Sequence, residues 1–120
     1  MQSYRDLEVW QRATSLVLQI YLCTDKFPTS ERHGIVNQIR RAAVSIPSNI
    51  AEGYSHRQKQ DYLRFLRIAF ASGAELETQL FIARQLAFIS DELYQNIEKD
   101  LSDIMRMLNK LMYAIKTKYH

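Results

Sequence analysis

The sequence predicts an all-α fold, an up-down-up-down four-helix bundle. Three observations carry that expectation. The 120 residues include only 3 glycines and 2 prolines, too little turn material for many short strands. Four long stretches carry apolar residues at steps of three and four, the spacing of one helix face. The connections between them are short, which places successive helices antiparallel. Length favours one domain spanning residues 1–120, large enough to bury about two-thirds of its unfolded surface.

The first helix is expected from about Asp6 to Lys26, with Trp10, Ala13, Val17, Ile20, Thr24 and Phe27 on its face and Leu16 widening it. Pro28 ends it, and Thr29 or Ser30 is placed to cap the next. The second helix is expected from about Glu31 to Gly53 or Tyr54. Ile35, Ile39, Ala42, Ile46 and Ile50 form its stripe, which runs straight through Pro47. A proline removes one N–H donor and crowds the carbonyl four residues back, here that of Ala43. A face kept across it predicts a continuous helix kinked at Pro47. Gly53 suits a C-terminal position, where a left-handed conformation is cheap for glycine.

Ser55 and Gln58 fit a capping box for a third helix from about His56 to Phe88. Its seam is Tyr62, Leu66, Ala69, Gly73, Leu76, Leu80, Ala83 and Ala87. A second apolar line, Leu63, Phe70, Ala74, Phe81 and Phe88, runs beside it and fits either a broader core contact or a second subunit. Ser90 is expected to cap the fourth helix, from about Asp91 to Lys116. Leu93, Ile97, Leu101, Ile104, Leu108, Leu111 and Ile115 form its seam, with Asp91 and Glu92 in the first turn and Lys116 in the last, complementing the helix dipole.

Net charge is +3, compatible with an anionic partner without requiring one. The single Cys23 has no internal disulfide partner, the opening residues lack a signal-peptide apolar run, and no apolar stretch is long enough for a membrane span. A cytoplasmic protein with no membrane contact is the expectation. No Glu-x-x-His pair, CxxC, HExxH, phosphate loop or nucleophile elbow occurs, and His33, His56 and His120 are scattered. The sequence therefore predicts no enzyme, no metal and no cofactor.

Two surfaces invite a functional reading. On the second helix Arg41, Ser45, Ser48 and Glu52 fall within about 60° at about 100° per residue, opposite the isoleucines, with Asn49 at the border. This stripe is either a solvated face with weak ion pairs or a polar network at a subunit contact. In the network Arg41 meets Glu75 or Glu77, and Asn49 satisfies backbone left unpaired by Pro47. Basic residues also group: Arg57, Arg64 and Arg67 on the third helix, with Tyr54 and Tyr62 flanking, and Lys99, Arg106 and Lys110 on the fourth. Such groups suit phosphate contact and base stacking, or simply solubility.

The segment Phe27-Pro28, Glu31-Arg32, Gly34 and then Gln38 through Gly53 (QIRRAAVSIPSNIAEG) strongly resembles the four-helix-bundle proteins of the 23S rRNA intervening-sequence family. So do Ala74-Glu75-Leu76-Glu77-Thr78-Gln79-Leu80 and the opening Tyr4-Arg5-Asp6-Leu7-Glu8-Val9-Trp10. The resemblance implies a bacterial bundle that assembles into a ring-like homopentamer. A related accessory protein of diversity-generating retroelements shares the fold and binds a reverse transcriptase and nucleic acid. Arg40, Arg41, Asn49, Glu52 and Glu75 match family motif positions, which favours the structural-network reading of the stripe. The third helix departs from the family in ending Ala87-Phe88-Ile89, where relatives often carry Gly-Tyr before the Ile. The expected function is a self-associating bundle that binds nucleic acid, structured RNA first. The alternative is a protein-interaction scaffold for a partner enzyme such as a reverse transcriptase.

Overall fold

The computed structural model describes residues 3–118. Four helices fill it: α1 Glu8–Thr24, α2 Ile35–Tyr54, α3 Lys59–Gln85 and α4 Asp91–Lys118, with no strand among the described residues. Each helix packs on its neighbour in sequence, and α4 closes back on α1. The bundle measures 49 × 24 × 21 Å. The Phe27 and Phe88 rings, 5.6 Å apart, join the α1–α2 and α3–α4 connections at one end. At the other, Lys59 Nζ of α3 donates to the Lys116 carbonyl of α4 at 3.2 Å.

The predicted seams form the core, except for Ala87, which lies beyond the end of α3 and is exposed. Leu16, Ile20, Ile39, Ile46, Ile50, Leu66, Leu76, Leu80, Ile97, Leu101, Ile104 and Leu108 are all fully buried. Each contributes about 1.5–3 kcal/mol of transfer free energy, whereas a helix cap contributes about 1 kcal/mol. The seams therefore decide the architecture and the caps only trim it. Pro47 illustrates the ranking. It is buried inside an uninterrupted α2. An interior proline costs about 3 kcal/mol, which burial of Ile39, Ile46 and Ile50 together outweighs.

The helix ends differ from expectation at several points. A 3-10 turn, Tyr4–Asp6, precedes α1: Ser3 Oγ accepts from the Arg5 N–H at 3.1 Å, and Asp6 accepts from the Ser3 N–H. Thr29–Glu31 form a second 3-10 turn, and α2 starts only at Ile35, after Gly34. Thr29 and Ser30 therefore do not cap it. Nor does Ser55 cap α3. It closes α2 instead, its Oγ donating to the Ala51 carbonyl at 3.0 Å, and α3 starts at Lys59 without a side-chain cap. Gly53 is not a left-handed terminator either, since no glycine has positive φ. A Cβ there would lie 2.9 Å from Phe65 Cβ and 3.2 Å from the Tyr62 carbonyl oxygen, so glycine is required for the close approach of α2 to α3.

The left-handed residue is Ala87, φ 62°. Its N–H reaches the Arg84 carbonyl at 2.9 Å, and that of Phe88 reaches Ala83, also at 2.9 Å. This pair of bonds is a Schellman closure, and it ends α3 at Gln85 rather than Phe88. Ser90 caps α4 as expected, Oγ accepting from the Leu93 N–H at 3.2 Å. The second apolar line of α3 divides. Leu63 is buried and Phe70 and Phe88 pack against the core, while Ala74 and Phe81 are exposed.

A carboxyl pair lies in the α3–α4 seam. Burial, then a hydrogen bond to Glu77 and the charge of Glu77, push Glu98 up to about 7. Glu98 Oε2 is buried and receives no donor among the described residues. Tyr94 stands nearby, itself raised by burial first and by Glu98, with the Arg84 guanidinium 4.8 Å from its ring centroid.

Ala87→Gly relieves a left-handed alanine and should stabilise the fold by about 1 kcal/mol, read as a higher urea midpoint at unchanged slope. Glu98 has a folded-state pKa above its unfolded value, so its contribution is fully present below about pH 4.5 and is lost as pH rises towards 7. Glu98→Gln should match the wild type in stability near pH 4.5 and exceed it at pH 8. A stability gap that stays constant across that range would rule out the raised Glu98 pKa.

Candidate interface and nucleic-acid surfaces

Arg40 belongs to the fold of the single chain. Its Nε donates to Thr24 Oγ1 at 2.8 Å, and one terminal nitrogen reaches the Tyr21 carbonyl at 3.3 Å and Asp25 at 3.0 Å. Its guanidinium lies 4.4 Å from the Tyr21 ring centroid. A cation is thus held at the C-terminus of α1, where the dipole favours it. Thr24, itself buried, donates to the Ile20 carbonyl and presents its oxygen to the arginine.

The rest of the stripe lies along the α2–α3 groove. Ser45 and Ser72 share a 2.8 Å hydrogen bond across the two helices. Asn49 Nδ2 donates to the Ser45 carbonyl at 2.8 Å and to Ser45 Oγ at 3.0 Å. Asn49 therefore serves a carbonyl two residues before Pro47, not that of Ala43, which faces the missing N–H. Arg41, Glu75, Gln38, Ala42, Ser45 and Gln79 line an open groove of about 360 Å³. Arg41 and Glu75 are exposed on its rim and form no ion pair among the described residues. Glu77 faces α4 instead, as the partner of Glu98. Glu52 is exposed. Sequence reasoning missed Gln79, which is only 9% exposed and has its Oε1 buried without a partner. Its position, three residues after Leu76 on the apolar edge of α3, was the available signal.

The six predicted phosphate contacts are all exposed but differ in their surroundings. Arg64 pairs with Asp61 at 3.5 Å and lies over the Phe65 ring at 4.5 Å. Arg106 pairs with Asp103, which also holds Arg12 of α1 at 3.1 Å. Arg57, Arg67, Lys99 and Lys110 make no ion pair among the described residues. Arg57 lines a cavity of about 270 Å³ with Tyr54, Tyr62, Lys59 and Ile115 at the end of the bundle. Tyr54 and Tyr62, expected beside the bases of a ligand, instead pack edge to face on each other, 6.1 Å apart at 85°.

No group of three or more metal-ligating side chains gathers among the described residues. No helix among them is long and apolar enough to cross a membrane. Burial raises the pKa of the Cys23 thiol, which makes it a poor nucleophile.

Residues 5–110 match the model of the 23S rRNA-intervening sequence protein family. Among curated proteins none matches the chain. A crystal structure from Bacteroides thetaiotaomicron, of a protein with unknown function from the S23 ribosomal protein family, is similar at 25% identity with a TM-score of 0.79. The similarity covers 87% of this chain and 97% of that one. With four helices in the order the sequence predicts and a family match from the first turn to Lys110, the chain belongs to the 23S rRNA-intervening sequence protein family.

Proposed function

We propose that this chain is a non-enzymatic, cytoplasmic, homo-oligomeric bundle that binds structured RNA through exposed basic residues. The observation that carries the reading is the state of its surface cations. Arg57, Arg67, Lys99 and Lys110 stand exposed without an acidic partner among the described residues. Arg64 and Arg106 pair only with the acid three residues earlier on their own helix, and such exposed pairs are worth under about 1 kcal/mol. All six are therefore available to phosphate at little cost. The family's description, tied to 23S rRNA, makes RNA the first ligand to test.

Self-association draws on a different feature. Leu18 and Leu22, one turn apart on α1, are 68% and 70% exposed, and Ile82 of α3 and Leu86 just past its end are 44% and 54% exposed. Apolar side chains placed at helical spacing on an outer face suit a second copy of the chain. A homopentamer is the state that the family resemblance implies. The second reading, a scaffold for a partner enzyme such as a reverse transcriptase, draws on the α2–α3 groove with its unpartnered Gln79 oxygen. A retroelement beside the gene favours the scaffold, an rRNA gene the RNA-binding reading.

Filter binding of a structured RNA at two salt concentrations should give tight binding at low salt that weakens steeply as salt rises. No retention at low salt would refute RNA binding. Light scattering should give a mass near five times the 14.1 kDa chain; a monomer mass would refute self-association.

A further inference from the structure

The charge of the bundle is divided between its ends. The contact of Lys59 with Lys116 and the cavity shared by Arg57 and Ile115 bring the α2–α3 turn and the last turns of α4 together. The opening 3-10 turn packs on α1 and α2 at the same end. Segments 3–12, 50–66 and 108–118, which form this end, hold eight Arg and Lys against four Asp and Glu. Segments 22–38 and 76–98, at the end closed by Phe27 and Phe88, hold three against six. The net charge of +3 thus combines a cationic end of +4 and an anionic end of −3, with the middle of the bundle supplying the remaining +2. A polyanion is steered to the first and repelled by the second.

Aromatic side chains at the cationic end divide into used and unused rings. Tyr54 and Tyr62 pack on each other. Phe65 has His56 stacked on it at 4.9 Å and Arg64 over it at 4.5 Å. Tyr113 is different: it is 69% exposed, and its ring meets no other ring among the described residues. Lys110 and Lys116, both exposed, sit three residues before and after it, the spacing of neighbours on a helix surface.

We propose that RNA docks on this cationic end, with Tyr113 as the platform for an unpaired base and Lys110, Lys116 and Arg57 as its phosphate contacts. The proposal rests on the RNA-binding reading above and gives it a place. A tyrosine face accepts any base, but only one that is out of its helical stack, because bases in an A-form duplex already cover one another. The ligand is accordingly RNA with a single-stranded loop or end. The lysines three residues to either side put positive charge where the phosphates flanking such a base would run. Lys99, further along α4 towards the middle of the bundle, lies outside the contact, whereas Arg106 lines one groove with Lys110 at its margin.

The test compares an RNA hairpin carrying a single-stranded loop with a fully paired duplex of the same length, across a salt series. Wild type should prefer the hairpin. Tyr113→Ala should weaken hairpin binding about tenfold without changing the salt slope, while Tyr113→Phe binds as wild type. Lys110→Glu with Lys116→Glu should weaken binding and flatten the plot of log affinity against log salt by about 0.7 for each phosphate no longer neutralised. Lys26→Glu, at the opposite end, should leave binding unchanged. All four positions are exposed, and circular dichroism checks that helix content is kept. Wild-type binding that is insensitive to Tyr113→Ala and to the lysine reversals, or that is lost only on Lys99→Glu, overturns this site and leaves the RNA-binding reading standing. Absence of hairpin binding by wild type at low salt overturns both.

Discussion

The close approach of α2 to α3 is the constraint on which the rest of the structure depends. Gly53 leaves no room for a Cβ against Phe65 and the Tyr62 carbonyl. One side chain larger would hold the helices apart just where the chain turns through Ser55–Gln58. The same seam is fastened further along by Ser45, Ser72 and Asn49. With α2 and α3 this close, the α2–α3 turn is drawn tight, and Lys59 reaches the last turns of α4. The cationic end is therefore built on a packing requirement met within it, by Gly53 in the last turn of α2.

Polar groups inside the bundle then do distinct jobs at distinct costs. Arg40 satisfies the end of α1 from α2, and its partners are a hydroxyl, a carbonyl and an exposed carboxylate, so no charge is stranded. Glu77 and Glu98 are arranged less favourably. Two carboxyls meet in a seam, and near neutral pH one must remain protonated or both must repel. A glutamine at either position would make the same contact without titrating. The pair therefore costs stability above about pH 7, and it gives the α3–α4 seam a sensitivity to pH that no apolar pair would have.

The fold was legible because apolar periodicity is set by burial, which outweighs capping and surface charge in deciding the architecture. Four seams read from steps of three and four all appear, including the one through Pro47. The helix ends were less legible, because a Ser-x-x-Gln pattern costs the chain little to ignore. Ser55 finds a backbone carbonyl of the preceding helix, and α3 starts without a cap. Gly53 was misread for a related reason: sequence shows that a residue is small but not whether the space or the dihedral requires it. Ala87 shows the converse, since it adopts the left-handed φ without being glycine. At the candidate site, the basic residues were visible but their grouping was not. Helix faces can be worked out from one helix at a time, whereas the cationic end exists only once three segments are brought together.

Sides and ends of the bundle offer different chemistry. The most exposed leucines, Leu18 and Leu22, lie along the side of α1, and Ile82 and Leu86 lie towards the anionic end of α3. Tyr113 and its lysines lie at the opposite end. Copies assembled through their sides with a common axis would leave every end open and place all the cationic ends on one rim. Several weak phosphate sites held at fixed spacing bind a long polyanion far more tightly than one. A chain of net charge +3 would then need no deep pocket to hold RNA, because multiplicity would supply what a single surface contact lacks. On that geometry, a variant that no longer assembles should lose RNA affinity even with every lysine and Tyr113 in place, which links the two halves of the proposed function through physics rather than through a shared residue.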